Sequence, residues 1–245
     1  MLLFSEHLCK GLFLREIIYW RENVPRKKTN TIDNTLAEQF DKYMKRYPEL
    51  YRSLAGVAKE YVPKKSKTPL ILDIGAGTGL LLIQLYNVLP QARIIGIEPS
   101  EPTLTLAKKN MKKEGCKNCK LLPGQAEKLP LNNDSVDVVV SRFVLSSIEE
   151  PSKGFTEIYR VLKPGGRIIL EALNREFPPF KLKLIKLHML LKAAEKNVIT
   201  YHAGCYKNAF SIDQTEQMLL EAGFTVLETD GKKNEWKFLI IAEKP

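Results

Sequence analysis

Histidine and cysteine are scarce in this chain, three and four among 245 residues. Four cysteines at this length do not make a disulfide framework, so reduced thiols are expected. Cys116-Lys-Asn-Cys119 has the spacing of a zinc ligand pair. A structural zinc site needs four ligands and no second pair follows, so no metal is expected. Long apolar runs are missing too. Hydrophobic residues make up 44% of the chain, yet no uninterrupted stretch approaches the length of a membrane span. The N-terminus, Met1-Leu-Leu-Phe, raises the question of a signal peptide. Glu6, Lys10, Arg15 and Glu16 break up that apolar segment, and no small-residue cleavage site follows. A cytoplasmic protein is expected. Repeats and low-complexity segments are absent.

Carboxylates are outnumbered, 28 against 38 lysines and arginines, for a net charge of +10. Such a surface favours the approach of anions: RNA, acidic lipid headgroups or phosphorylated substrates. The lysines are spread along the chain, with small clusters at Arg26-Lys27-Lys28, Lys64-Lys65-Ser66-Lys67 and Lys181 to Lys196. A solvated, lysine-rich surface is the plainer explanation.

What the chain does have is concentrated in Leu70-Ile-Leu-Asp-Ile-Gly-Ala-Gly-Thr-Gly79. Leu70, Ile71, Leu72 and Ile74 suit a parallel strand buried on both faces. Gly75, Gly77 and Gly79 allow a sharp turn and leave room for a ligand against the backbone. A nicotinamide-type fingerprint would place its third glycine where Leu80 stands. The spacing here is G-x-G-x-G, with Asp73 two residues ahead.

From Leu70 the pattern alternates. Strands are expected at 70–74, 93–98, 119–123, 136–141 and 166–172, and helices at 79–89, 101–114 and 152–162. Such alternation implies right-handed βαβ crossovers and a parallel sheet with helices on both faces. The rhythm breaks after residue 173 for a long connection. It resumes with a helix at 211–222, opened by Ser211 and closed by Gly223, then strands at 224–229 and 235–242 about a hairpin-like turn at 230–234. Ahead of this core, residues 2–22 fit an amphipathic helix and Val24 to Thr35 a linker. A second helical pattern carries Leu36, Phe40, Tyr43, Tyr47, Leu50 and Leu54.

The glycine loop resembles motif I of the class I S-adenosylmethionine-dependent methyltransferases. Gly124-Gln-Ala-Glu-Lys-Leu-Pro130 resembles that family's G-D-A-E-x-L-P stretch, with Gln125 where an Asp is common. Arg160-Val-Leu-Lys-Pro-Gly-Gly166 resembles its R-V-L-K-P-G-G turn. The likeness is strong over 70–172 and extends over 211–242 as topology, in the branch that holds ubiquinone and menaquinone C-methyltransferases. It implies a Rossmann-like seven-stranded, mostly parallel α/β sheet with a C-terminal antiparallel hairpin. Residues 1–69 would form a helical cap and linker, and 70–245 the methyltransferase domain with a lid-like insert at 174–210.

The resemblance also implies the cofactor, S-adenosylmethionine, with S-adenosylhomocysteine as product. Asp73 would attract the methionine ammonium and Glu98 would accept from the ribose hydroxyls, while Gln125 and Ala126 would frame the adenine. Gly75, Ala76, Gly77, Gly79, Pro99 and Ser141 complete the expected contacts, with Tyr43 or Tyr47 covering the bound cofactor. Methyl transfer needs alignment and exclusion of water more than a catalytic triad. His202, Arg142 and Tyr206 are the candidates for contact with the acceptor. Arg142 serves equally well as partner to a carboxylate, and His202 as a structural histidine.

Arsenite methyltransferases use several thiolates, but Cys116, Cys119 and Cys205 do not match that arrangement. In the insert, Leu182, Leu184, Ile185, Leu187 and Met189 interleave with Lys181, Lys183, Lys186 and Lys192. A lid helix, a membrane-surface helix and a core helix with snorkelling lysines all fit. The expected acceptor is a small, apolar or aromatic molecule, with peripheral contact to acidic lipid. An RNA substrate is not favoured, because no RNA-binding module is appended. A cofactor-binding scaffold or sensor is the non-enzymatic alternative.

Overall fold

The computed structural model describes residues 32–192 and 194–245. The helix expected at 2–22, His7, and the linker up to residue 31 lie outside the described residues. The linker's expected end already belongs to a helix, α1 (Asn34–Met44), capped by Asp33, whose Oδ1 accepts from Leu36 N at 2.8 Å. The pattern read as one helix through Leu54 is two. Pro48 starts a second helix, α2 (Pro48–Glu60), from its first turn, where its missing N–H costs nothing.

The core is a seven-stranded sheet in the order β3-β2-β1-β4-β5-β7-β6. Its strands are β1 (Leu70–Ile74), β2 (Arg93–Glu98), β3 (Cys119–Pro123), β4 (Val136–Arg142), β5 (Leu162–Leu173), β6 (Thr225–Asp230) and β7 (Lys237–Glu243). Strands β1 to β5 run parallel, while β7 pairs antiparallel with both β5 and β6. All five residues of β1 are buried, as its central place between β2 and β4 requires. Each large aliphatic side chain so buried contributes about 1.5–3 kcal/mol. The helices between strands are α3 (Leu80–Val88), α4 (Glu101–Lys113) and α5 (Pro151–Val161), and α8 (Ile212–Glu221) precedes the final hairpin. The two apolar layers are separate: Leu82, Leu85 and Ala55 belong to one face of the sheet, Phe155, Ile158 and Leu219 to the other.

Two motif segments turn out to be fasteners. Arg160 reaches Leu129 O, Leu131 O and Asn133 Oδ1 at 3.1, 2.9 and 2.8 Å, and pairs with Glu157. Glu157 Oε2 in turn accepts from Leu129 N at 2.9 Å, so the pair clamps the β3–β4 connection. Lys163 donates to Asp137 Oδ1 at 2.6 Å, and Asp137 Oδ2 accepts from Leu70 N at 2.7 Å, fixing where β1 begins. The turn expected at 163–166 is a bulged start of β5, with the register shift between Val136 and Val138 and Gly165 at φ 73°.

The break in rhythm after residue 173 is a closed excursion of two helices, α6 (Pro179–Leu191) and α7 (Lys196–Lys207). A bridge between Asn174 and Phe210 ties its ends together. Asn174 is fully buried and donates through Nδ2 to Lys232 O at 3.0 Å. Capping is explicit at α8: Ser211 and Gln214 form a reciprocal capping box, and Gly223 leaves the helix at φ 100°.

Candidate active site

A cavity of about 380 Å³ opens at the carboxyl ends of β1, β2 and β4, where open α/β sheets bind their ligands. Its floor is backbone. Gly75 N and Ala76 N both donate to Ile97 O, at 2.8 and 3.0 Å, so the glycine loop folds back against β2. The three glycines serve three purposes. Gly75 holds φ 72° under Val144, whose Cγ2 would lie 2.1 Å from any Cβ there. Gly79 caps α3, and a Cβ would meet Ala107 of α4 at 3.3 Å. Only at Gly77 would a Cβ point into open space, with nothing nearer than 3.9 Å. That space is the cavity.

Two carboxylates line it with opposite degrees of satisfaction. Glu98 accepts from Gly77 N at 3.0 Å and Ser100 N at 2.9 Å, one bond to each oxygen. Burial raises its pKa and these two bonds pull it back. Asp73 is 1% exposed and its Oδ2 has no hydrogen-bond partner. Burial, with the nearby Glu98 charge, pushes its carboxyl up to about 8, against the opposing pull of Arg142. A buried carboxyl oxygen left without a donor is a place for a ligand cation.

The residues present therefore fit S-adenosylmethionine. Asp73 would take the ammonium, Glu98 the ribose hydroxyls, and Gly77 the close approach. Pro99, Gln125 and Ala126 line the end where the adenine is expected. Glu127 Oε1 accepts from Glu149 N and Glu150 N at 2.9 and 3.2 Å, holding the loop after β4 beside them.

The opposite wall is made of side chains from α1, α2, the end of β4 and α7. Arg142 is nearly buried, its guanidinium 4.5 Å from the Tyr51 ring centroid and 4.2 Å from that of Phe143. Its Nε lies 2.7 Å from Glu171 Oε2, but the contact is not aligned as a hydrogen bond, and Nη2 has no partner. Lys237 also pairs with Glu171, so one buried carboxylate balances two cations. Arg142 thus bridges a carboxylate, the plainer of its two expected roles, and it also lines the cavity. His202 lines it too, with Nε2 unpartnered and its ring 5.6 Å from Phe40. Burial and the Arg142 charge push its pKa down to about 4, so the imidazole is neutral at neutral pH.

Several expected residues stand elsewhere. Tyr43 and Tyr47 pack on each other at 5.3 Å and do not line the cavity. On α1 it is Phe40 and Met44 that line the cavity instead, and the new helix begun at Pro48 adds Tyr51. Ser141 is buried within the sheet, its hydroxyl donating to Ile74 O at 3.3 Å. Gly79 packs two helices together, as described. Tyr206 donates to Trp236 O at 3.3 Å and fastens α7 to the final hairpin.

Other features carried no sequence signal. Asn110 of α4 donates to Asp41 Oδ1 and Thr78 O, both at 2.9 Å, and accepts from Lys45 at 2.7 Å. This buried junction seats the cap helix over the glycine loop. Cys205 lines the cavity, whereas Cys116 and Cys119 lie by the start of β3, away from the carboxyl ends. Among the described residues no three His, Cys, Asp or Glu side chains gather into a metal site.

Strand order, hairpin and glycine-loop cavity together are those of an α/β fold suited to a nucleoside cofactor. A family model described as a methyltransferase domain matches residues 65–235. The chain belongs to that family and carries an S-adenosylmethionine-dependent methyltransferase domain. It is 34% identical over 179 residues to a demethylmenaquinone methyltransferase of Chlorobaculum tepidum, covering 69% of this chain and 68% of that protein. It is 28% identical over 171 residues to an arsenite methyltransferase of Halobacterium salinarum, covering 69% and 40%. The chain spans less than half the length of three curated relatives it matches, 40%, 39% and 45%. A solved SAM-dependent methyltransferase from Aquifex aeolicus shares the fold, with a TM-score of 0.63 and 20% identity over 88% of this chain and 100% of that one.

Proposed function

We propose that the protein transfers the methyl group of S-adenosylmethionine to a small, largely apolar or aromatic acceptor held between the cap helix and α7. One observation carries this reading. The wall facing the glycine loop is mostly apolar and aromatic (Leu36, Phe40, Met44, Leu173 and Tyr201), with Arg142 and His202 among them, and among the described residues no lysine lines the cavity. A pocket of this size and lining suits a small molecule, and an RNA substrate would call for a cationic groove. The demethylmenaquinone methyltransferase relatives are consistent with a ring-bearing acceptor.

The bound cofactor supplies an electrophilic methyl group on a sulfonium leaving group. The chain's part is alignment and exclusion of water. Asp73 and Glu98 fix the two ends of the amino acid and ribose. Phe40 and Tyr201, 5.9 Å apart and edge to face, close the cavity where cap and insert meet. His202 is neutral and can accept a hydrogen bond from an acceptor hydroxyl at Nε2. Burial and the Arg142 charge hold its pKa down at about 4, and its unpartnered Nε2 at the cavity suits it to orient the acceptor. Arg142 Nη2 offers a buried charged donor to an acceptor oxygen. An arsenite acceptor is not favoured, because among the described residues Cys205 lines the cavity without a second thiol.

Methyl-labelled cofactor, offered with a panel of prenylated quinols and small phenols alongside RNA, tests the proposal. Label in the organic extract is expected. Label in RNA, or cofactor binding with no labelled product from cell extract, would overturn the acceptor class or the enzymatic reading respectively.

A further inference from the structure

The insert's first helix, α6, has more apolar faces than the fold uses. Its inward side is settled: Met189 is 5% exposed and Ile185 packs on the core. Yet Phe180, Leu184, Leu187 and Leu191 are 63%, 61%, 52% and 77% exposed. At 100° per residue these four fall within an arc of about 60°, opposite Met189. Lys181 and Lys192 flank that ridge on one side, Lys183 and Lys186 on the other. Between Glu176 and Glu195 there is no carboxylate.

We propose that α6 docks on the surface of an anionic lipid bilayer, with the leucine ridge among the acyl chains and the lysines at the headgroups. The charge pattern selects this occupant. Exposed apolar ridges between cationic flanks fit an interface that is apolar below and negative above. A second copy of the chain would set lysine flank against lysine flank. Residues 1–31 are basic as well, with six lysines and arginines (Lys10, Arg15, Arg21, Arg26, Lys27 and Lys28) against Glu6, Glu16 and Glu22, so charge does not draw them to this face. RNA would use the lysines and leave the ridge uncovered. The helix lies on the bilayer: among the described residues none is long and apolar enough to cross a membrane. Its partner in the excursion, α7, supplies Tyr201 and His202 to the cavity, so docking brings the cavity's side-chain wall close to lipid.

Co-sedimentation of the full chain with phosphatidylcholine–phosphatidylglycerol vesicles, and with phosphatidylcholine alone, is the test. Binding to the mixed vesicles only, weakened by added salt, is expected. Leu184→Asn with Leu187→Asn should reduce it at least about tenfold. Lys183→Gln with Lys192→Gln should reduce it by about fivefold for each lysine. S-adenosylhomocysteine binding should be unchanged in both, because none of these residues lines the cavity. Three outcomes overturn the inference: no vesicle binding, binding indifferent to the leucine pair, or a dimer in sedimentation equilibrium that the leucine pair dissolves.

Discussion

The two walls of the cavity are built on different principles. The floor is main chain, positioned by strand ends and glycine conformations. The facing wall is side chains, delivered by three helices and the end of β4. Gly77 N, Ser100 N, Gly75 N and Ala76 N all find partners within 3.0 Å on β2 or its end. Across from them, Arg142 Nη2 and His202 Nε2 have none. A wall of satisfied backbone, with Asp73 Oδ2 as its open acceptor, suits one constant ligand, while a side-chain wall with Arg142 Nη2 and His202 Nε2 unpaired in an apolar setting suits a particular one. The contrast divides the site into a family half and an individual half.

The largest expected effect breaks the floor. Gly77→Val would put a side chain into the cavity from the one glycine of the loop that faces open space, at a φ of 55°, and should weaken S-adenosylhomocysteine binding more than about 100-fold by calorimetry. Circular dichroism would check that the fold survives, and Gly77→Ala should fall in between.

Next come the carboxylates, Asp73→Ala and Glu98→Ala, each expected to weaken that binding by about 1–3 kcal/mol. Only Glu98→Ala should also lower the melting temperature of the ligand-free protein, because Glu98 ties the glycine loop to the start of α4.

Asp73 sharpens the comparison through pH. Its raised pKa stabilises the ligand-free fold fully below about pH 4, and that contribution is lost as pH rises through about 8. Cofactor binding runs the other way, since the ammonium requires the ionised form. Affinity should therefore tighten from about pH 6 to 8, by at most about tenfold per unit, and Asp73→Asn should flatten the slope. An equally steep slope in Asp73→Asn would assign the titration elsewhere.

The smallest effect concerns the other wall. Tyr43→Phe and Tyr47→Phe should change cofactor affinity less than about twofold. Phe40→Ala, which opens the contact to His202 and Tyr201, should raise the acceptor's KM while leaving S-adenosylhomocysteine binding within a few-fold.

The same division explains what could be read from the chain. Gln125 was legible only through the resemblance to the family's G-D-A-E-x-L-P stretch, whereas Asp73, Gly77 and Glu98 were legible because strand ends and a glycine turn put them at the cavity by local geometry. The strand series and the hairpin were legible for the same reason: burial on both faces of β1 and the capping box at Ser211 are local facts. The cap was not. Its aromatic stripe runs continuously in sequence, but the packing of α1 turns Phe40 to the cavity and Tyr43 away, and the restart at Pro48 brings Tyr51 in from α2. Gly75 and Gly79 belong to the motif yet answer to Val144 and Ala107, contacts made across the fold. Asn110 looked like any polar residue late in a helix until its three partners were brought together by packing.

The most direct test of the account is a crystal structure with S-adenosylhomocysteine bound. The expected result is the amino group on Asp73, the ribose on Glu98, and the sulfur facing a cleft bounded by Phe40, Arg142 and His202. A ligand whose sulfur points away from that cleft, or one that leaves Asp73 Oδ2 without a partner, would contradict it.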